Sequence, residues 1–333
     1  MKICVSRIDK MGDMILTLPV IKTIKIENPN AEVHVLSSEL NFKIIKDLQY
    51  IDNMYVIKPS IFSFFKELID IRKNQYDLFL NFSPSLKSFF LCLLSKSDKK
   101  SSLILKSRYK NRHLSKIFTI ILGKIFFNNL IIVNRYKNLI KNKEIHQTKM
   151  MFNLLEINKI QNNILTKIDL KLPNKKIDFK NKIITIHLSE KWINPYYSEK
   201  NFIQLLEMII LKNYQIILTT DNLSKKKFHK IFQKFKIYDH LDEKKIIACK
   251  DIVILDNLNY QSWLKVIYSS SKVITPECGC SHIAAACKIH VSIIYDPFNY
   301  PDAIHDEYHP WHSQYSKFIF TKENLNQKLV QNL

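Results

Sequence analysis

Glycine is almost missing from this chain. There are three in 333 residues, about 1% against a usual level of about 7%. Such a chain keeps glycine mainly where no other residue fits, which draws attention to Gly12, Gly123 and Gly279. Cysteine is sparse too, with six residues scattered among apolar neighbours. That spacing argues against a disulfide scaffold. Cys278 and Cys280 lack the two-residue spacer and second ligand pair of a zinc site, so no metal is expected. No run of eighteen uncharged apolar residues occurs; the longest candidate, 117–133, is interrupted by Lys124, Asn128 and Asn129. This weakens a membrane-spanning reading. The apolar start at 1–5 is too short for a secretory signal, and a cytoplasmic protein is expected. Acidic residues are few: 30 against 51 Lys and Arg, a net charge of +21. Lysine, isoleucine and asparagine are abundant everywhere, which reads as compositional drift. The remaining charge suits a phosphorylated or membrane-bound partner. Nucleic acid is not expected, because the charge is diffuse and zinc-finger and RNP-type signatures are missing.

What is present is an alternation. Apolar strands at 2–8, 33–36, 54–57 and 78–82 alternate with helices at 13–26, 61–72 and 85–94. Strands and helices alternating at these lengths predict a parallel sheet. Residues 105–160 read as more helical and very basic, with Lys106, Arg108, Lys110, Arg112 and Lys116 close together. The polar stretch 172–176 reads as a linker, dividing the chain into domains 1–172 and 173–333. The alternation then restarts, with strands at 183–187, 214–219, 252–255, 273–274 and 291–295 and helices at 199–211, 224–235 and 282–288. The expected fold class is α/β: two doubly wound, Rossmann-like parallel sheets facing a central cleft. In each sheet the ligand site is expected beyond the carboxyl ends of the strands.

Three segments carry candidate chemistry. The first, Arg7-Ile8-Asp9-Lys10-Met11-Gly12-Asp13, joins a strand to a helix. Gly12 suits a tight turn and close ligand approach. Asp13 at a helix N-terminus reads either as a general base or as a simple helix cap. Arg7 and Lys10 read either as contacts for an anionic acceptor or as solvated side chains. The second segment is Thr275 to Ala286, where a strand ends at a glycine turn and an alanine-rich helix begins. Free N–H groups at such a helix start bind phosphate. Cys280 and Ser281 suit a cap or a ligand contact, and His282 reads as structural or as a ligand contact. The third, His187 to Trp192, offers Lys191 for a diphosphate leaving group or as an ordinary loop lysine.

Together these segments resemble glycosyltransferase family 9, the lipopolysaccharide heptosyltransferase family. Arg7 to Asp13 is similar to the family's R-x-D-x-x-G-D opening, and Met14 to Val20 to the helix that follows. Glu277 to Ala286 resembles its D-[ST]-G-x-x-H-[LI]-A-A-A motif. The resemblance implies a GT-B fold, with an N-terminal acceptor domain and a C-terminal nucleotide-sugar domain. It implies an inverting, metal-independent transfer, usually of heptose from an ADP-sugar, with no cofactor beyond that co-substrate. By matching position Asp13 is the base, and Glu277, Cys278, Gly279, Cys280, Ser281 and His282 hold the donor. Lys191 lies near the family's phosphate-binding lysine. Arg7, Lys10 and Gly12 fall on the acceptor side. The implied partners are a nucleotide sugar and an anionic glycolipid or glycan acceptor; the basic segment 105–116 itself suits peripheral contact with the inner membrane. A monomer is expected. The sequence departs from the family at Glu277 for Asp, Cys278 for Thr or Ser, and Tyr295-Asp296 for the usual F-G. These changes fall on the donor side, so transfer of another sugar and a non-catalytic sugar-binding role stay open.

Overall fold

A computed structural model describes residues 1–83, 85–106, 113–134, 145–164, 166–220, 224–249 and 251–333. The chain forms two compact units: Met1–Lys171 with Asp306–Trp311, and Leu172–His305 with His312–Leu333.

The first unit runs β1 (Lys2–Arg7), α1 (Met11–Glu27), β2 (Glu32–Ser38), α2 (Glu39–Ile45), β3 (Asn53–Ile57), α3 (Ile61–Arg72), β4 (Tyr76–Asn81), α4 (Leu86–Leu94), β5 (Ser97–Leu105), α5 (His113–Phe126), β6 (Asn129–Val133) and α6 (Gln147–Ile157). Its strands form a parallel sheet of order β3-β2-β1-β4-β5-β6. That order is the doubly wound one. Helix α1 is buried along most of its length, as its sequence from Met14 to Ile21, apolar all round but for Thr17, requires. Pro19 sits inside it, and nearby helix carbonyls are met by side chains: Thr148 donates to Leu16 and Thr166 to Pro19, at 2.8 and 2.7 Å.

The stretch expected to be helical from 105 onward holds a strand as well. β6 follows α5 after Phe127 and Asn128, and only the pair Asn128 and Asn129 parts their apolar runs in sequence. β5 is hidden differently: its first six residues are polar, buried Ser101 and Ser102 among them, and only Leu103 to Leu105 are apolar. Those serines bond to Asn158 and Asn81. Of the basic cluster, Arg108, Lys110 and Arg112 lie outside the described residues.

The return segment Asp306–Trp311 is anchored in the first unit. Gln147 Nε2 donates to Glu307 at 3.1 Å, and Trp311 Nε1 donates to the Thr166 carbonyl at 3.0 Å. A division at 172/173 assigns these residues to the other unit; no apolar pattern in so short a piece marks the return.

The second unit runs β7 (Ile183–Leu188), α7 (Glu199–Ile210), β8 (Gln215–Thr220), α8 (His229–Lys234), β9 (Lys236–Tyr238), α9 (Glu243–Ala248), β10 (Ile252–Asp256), α10 (Tyr260–Ser269), β11 (Lys272–Pro276), α11 (Gly279–Ala286), β12 (Val291–Tyr295), α12 (Pro301–Tyr308, whose last residues from Asp306 belong to the first unit), β13 (Tyr315–Ile319) and α13 (Leu325–Gln331). Its parallel sheet has the order β13-β12-β11-β7-β8-β10-β9. The buried core on one face joins Trp192, Tyr197, Phe202, Phe228 and Phe320. Buried on both faces, the central strands read as continuous apolar runs, which is why β7, β8, β10 and β12 are visible in sequence.

Candidate active site

Both main motifs stand where a sheet reverses its winding. In the first unit the chain moves from β1 through β2 to β3, then restarts on the other side of β1 with β4. Such a reversal opens a crevice beyond the carboxyl ends of the two central strands. Asp9 and Asp13 follow β1 there, and Ser83 follows β4.

Arg7 ties this crevice together. It is fully buried, and its Nη1 donates to the Phe82 carbonyl. Nη2 lies 3.1 Å from Asp13 Oδ1 and Nε lies 3.3 Å from Asp9 Oδ1. Ser83 Oγ donates to Asp9 Oδ1 at 2.7 Å and accepts from the Ile8 N–H at 2.6 Å. Asn41 donates to the carbonyls of Arg7 and Asp9. One guanidinium therefore faces two carboxyl groups. Burial raises the Asp9 pKa; Arg7 opposes the rise and Asp13 adds to it, and the net direction is upward.

The cap reading of Asp13 has a clear geometric answer. Lys10 occupies the N-cap position of α1, with no side-chain cap bond, and Asp13 lies one turn further in. Its carboxylate, in a residue 5% exposed, is turned toward Arg7. Gly12 is buried in the same turn. No glycine among the described residues has positive φ, so Gly12 and Gly279 contribute a missing side chain, not a left-handed turn. Lys10 is exposed. Arg7 is neither solvated nor at a surface that an acceptor can reach.

In the second unit β8, β10 and β9 build one side of β7, and β11, β12 and β13 the other. Lys191 follows β7 and Glu277 follows β11, so they flank this second reversal. Lys191 Nζ donates to Glu277 Oε2 at 2.6 Å and to the Glu277 carbonyl. Burial by itself would lower the Lys191 pKa; the charge and hydrogen bond of Glu277 outweigh it, and the net direction is upward. Cys278 is the extended N-cap of α11, with no side-chain cap bond. Its sulfur lies 3.2 Å from Thr275 Oγ1, and burial pushes the thiol pKa up. Ser281 Oγ turns back to the Cys278 carbonyl at 2.7 Å. Lys191, Glu277, Cys278 and Gly279 reach solvent, while Cys280, Ser281 and His282 are 1–2% exposed.

Sequence reasoning passed over several polar groups at strand ends. His187 Nδ1 lies 3.0 Å from Thr219 Oγ1, to which Trp263 Nε1 also donates at 3.2 Å. Asp256 ends β10 and pairs with Lys225. The available signal was position: His187 and Thr219 are next to last, and Asp256 last, in buried strands. Volume is a poor guide here: a groove of about 870 Å³ runs along β3 and α3, and contains neither Asp13 nor Lys191.

Comparison with known proteins decides the family. The model of glycosyltransferase family 9 (heptosyltransferase) matches residues 61–329. The chain belongs to glycosyltransferase family 9. No curated protein matches its sequence at a significant level. Among solved structures, a family 9 glycosyltransferase from Veillonella parvula is similar at TM-score 0.74 and 12% identity, covering 99% of this chain and 89% of that one. The Escherichia coli ADP-heptose lipopolysaccharide heptosyltransferase II gives 0.73 and 13%, covering 99% and 97%. Escherichia coli heptosyltransferase WaaC with ADP gives 0.70 and 13%, covering all of both chains. This family 9 glycosyltransferase therefore has the two-sheet α/β fold of the heptosyltransferases. The family match includes 277–286 and begins after Asp13, so the first motif rests on its place in the fold.

Proposed function

We propose that this glycosyltransferase moves heptose from ADP-heptose onto an anionic glycan of the lipopolysaccharide-core type, with inversion and without a metal. The observation that carries this reading is the Asp13 carboxylate, held by Arg7 at the crevice of the first sheet. In the proposed reaction Asp13 takes the acceptor hydroxyl proton as its oxygen bonds to the anomeric carbon. The bond from that carbon to the diphosphate breaks, and ADP leaves. A single displacement from the far side inverts the centre. Lys191 and the N–H groups opening α11 meet the charge on the departing diphosphate. An ammonium has three donors; Glu277 takes two from Lys191 and orients the rest of the group. The solved WaaC structure with ADP supports an adenine nucleotide as donor. We place the enzyme, as a monomer, at the cytoplasmic face of the inner membrane, where an anionic acceptor suits its charge. No described helix is long and apolar enough to cross a membrane.

A thermal-shift screen against nucleotide sugars tests the donor. ADP-sugars are expected to raise the melting temperature, and UDP- and GDP-sugars to leave it unchanged. A shift with UDP- or GDP-sugars alone would reject the ADP-heptose assignment. Lys191→Met is expected to weaken ADP binding by at least about tenfold, since charge-assisted bonds to phosphate are roughly twice as strong as neutral ones. Titration calorimetry reads this directly, and unchanged affinity would remove Lys191 from the donor site.

A further inference from the structure

Helix α5 carries its large apolar residues on the face turned away from its own sheet. Its buried positions include Thr119 and Gly123. A Cβ at Gly123 would sit 3.1 Å from a Leu130 methyl carbon of β6, so the helix lies close to the sheet through a small residue. The opposite stripe is Leu114, Ile117, Phe118, Ile121 and Ile125, at the spacing of one helix face. These side chains are 51–84% exposed. Helix α3 repeats the pattern: Ser63 and Glu67 are buried, whereas Ile61, Phe62, Phe65 and Ile69 are 55–83% exposed. Helix α4 contacts both helices and adds exposed Leu94. Eleven of the twenty large apolar side chains exposed among the described residues thus come from α3, the end of α4 and α5. Scattered exposed apolar residues are ordinary, but a concentration of this kind marks an interaction surface.

The charge of the same stretch identifies the partner. Residues 58–126 hold fourteen lysines and arginines against four acidic residues, +10 of the chain's +21 in about a fifth of its length. The charge is therefore concentrated here, contrary to the diffuse distribution expected from composition. Lys66, Arg72 and Lys124 are exposed on the apolar helices themselves. We propose that α3, α4 and α5 form a docking face that lies in the interfacial layer of an anionic lipid bilayer. An apolar helix face with interleaved cations is the pattern that binds there. A second copy of the same face would bring like charges together, whereas anionic headgroups neutralise them. This rests on the proposed placement at the inner membrane and adds the surface that makes the contact; vesicle binding needs neither the donor nor Asp13, so its failure is read apart from that of the proposed reaction.

The test is co-sedimentation of the full chain with phosphatidylglycerol vesicles and with phosphatidylcholine vesicles. The wild type is expected to partition at least tenfold more strongly onto phosphatidylglycerol, less so as salt rises. The variant Ile117→Ser/Ile121→Ser/Ile125→Ser should lose at least tenfold of that partition while keeping its melting temperature and its response to ADP-sugars. Should it melt early, Phe62→Ser carries the same comparison at a side chain 83% exposed. Three results would overturn the proposal: no wild-type binding to phosphatidylglycerol, serine variants that bind as the wild type does, or a dimer that the serine substitutions dissolve.

Discussion

Asp13→Asn is expected to abolish sugar transfer while leaving nucleotide-sugar affinity within about twofold. The substitution keeps the size of the side chain and an oxygen to face Arg7, which lies 3.1 Å away. What it removes is the ability to accept a proton from the acceptor hydroxyl. A positioned general base contributes about 10²–10⁴-fold, so kcat should fall by that range or more. Donor binding, placed in the second unit, should not change. The two quantities are read by transfer kinetics and by calorimetry on one purified protein. An active Asp13→Asn enzyme would remove Asp13 from the chemistry.

Arg7→Met is expected to destabilise the first unit by about 3–5 kcal/mol, the usual cost of removing one partner from a buried ion pair. The methionine fills similar space, but Asp9 and Asp13 then face each other without a counter-charge. Urea denaturation measures the loss. The sign of the Asp9 shift supplies an internal control. Its folded pKa lies above its ordinary value of 3.8. It therefore binds its proton more tightly folded than unfolded. Its contribution to stability is present at low pH and is lost as pH rises from about 3.8 through the folded value. Without Arg7, the main opposition to that rise is gone. Asp9→Asn in the Arg7→Met background should then recover part of the stability at neutral pH and little of it at low pH. An Arg7→Met protein as stable as the wild type would show that the guanidinium does not organise this site.

Much of the fold was legible because the buried strands are short apolar runs set between amphipathic helices. Where a strand broke that rule, it was missed. β5 opens with six polar residues, and only Asn128 and Asn129 part the apolar sequence of α5 from that of β6. β13 has only partly buried positions outside its exposed Lys317, which leaves no apolar run to see. The site was legible in its positions more than in its contacts. Asp13 and Glu277 each follow a central strand, and both ended beside a winding reversal. The role of Arg7 was not legible, because its partners come from two places. Asp9 and Asp13 lie near it in sequence, but the Phe82 carbonyl is brought in by β4, 75 residues away. Spacing along one motif cannot report a partner supplied by strand order. The pairing of Lys191 with Glu277 was hidden for the same reason, with 86 residues between them. That pair also places the Glu277 departure next to the lysine assigned to the diphosphate.

The most direct test of the central claim is to supply ADP-heptose and a heptose-deficient lipopolysaccharide-core acceptor and follow both products. Mass spectrometry of the acceptor and quantification of ADP should show one heptosyl residue gained for each ADP released, with inverted configuration at the anomeric carbon. ADP-heptose that binds yet yields neither ADP nor a heavier acceptor would contradict the account.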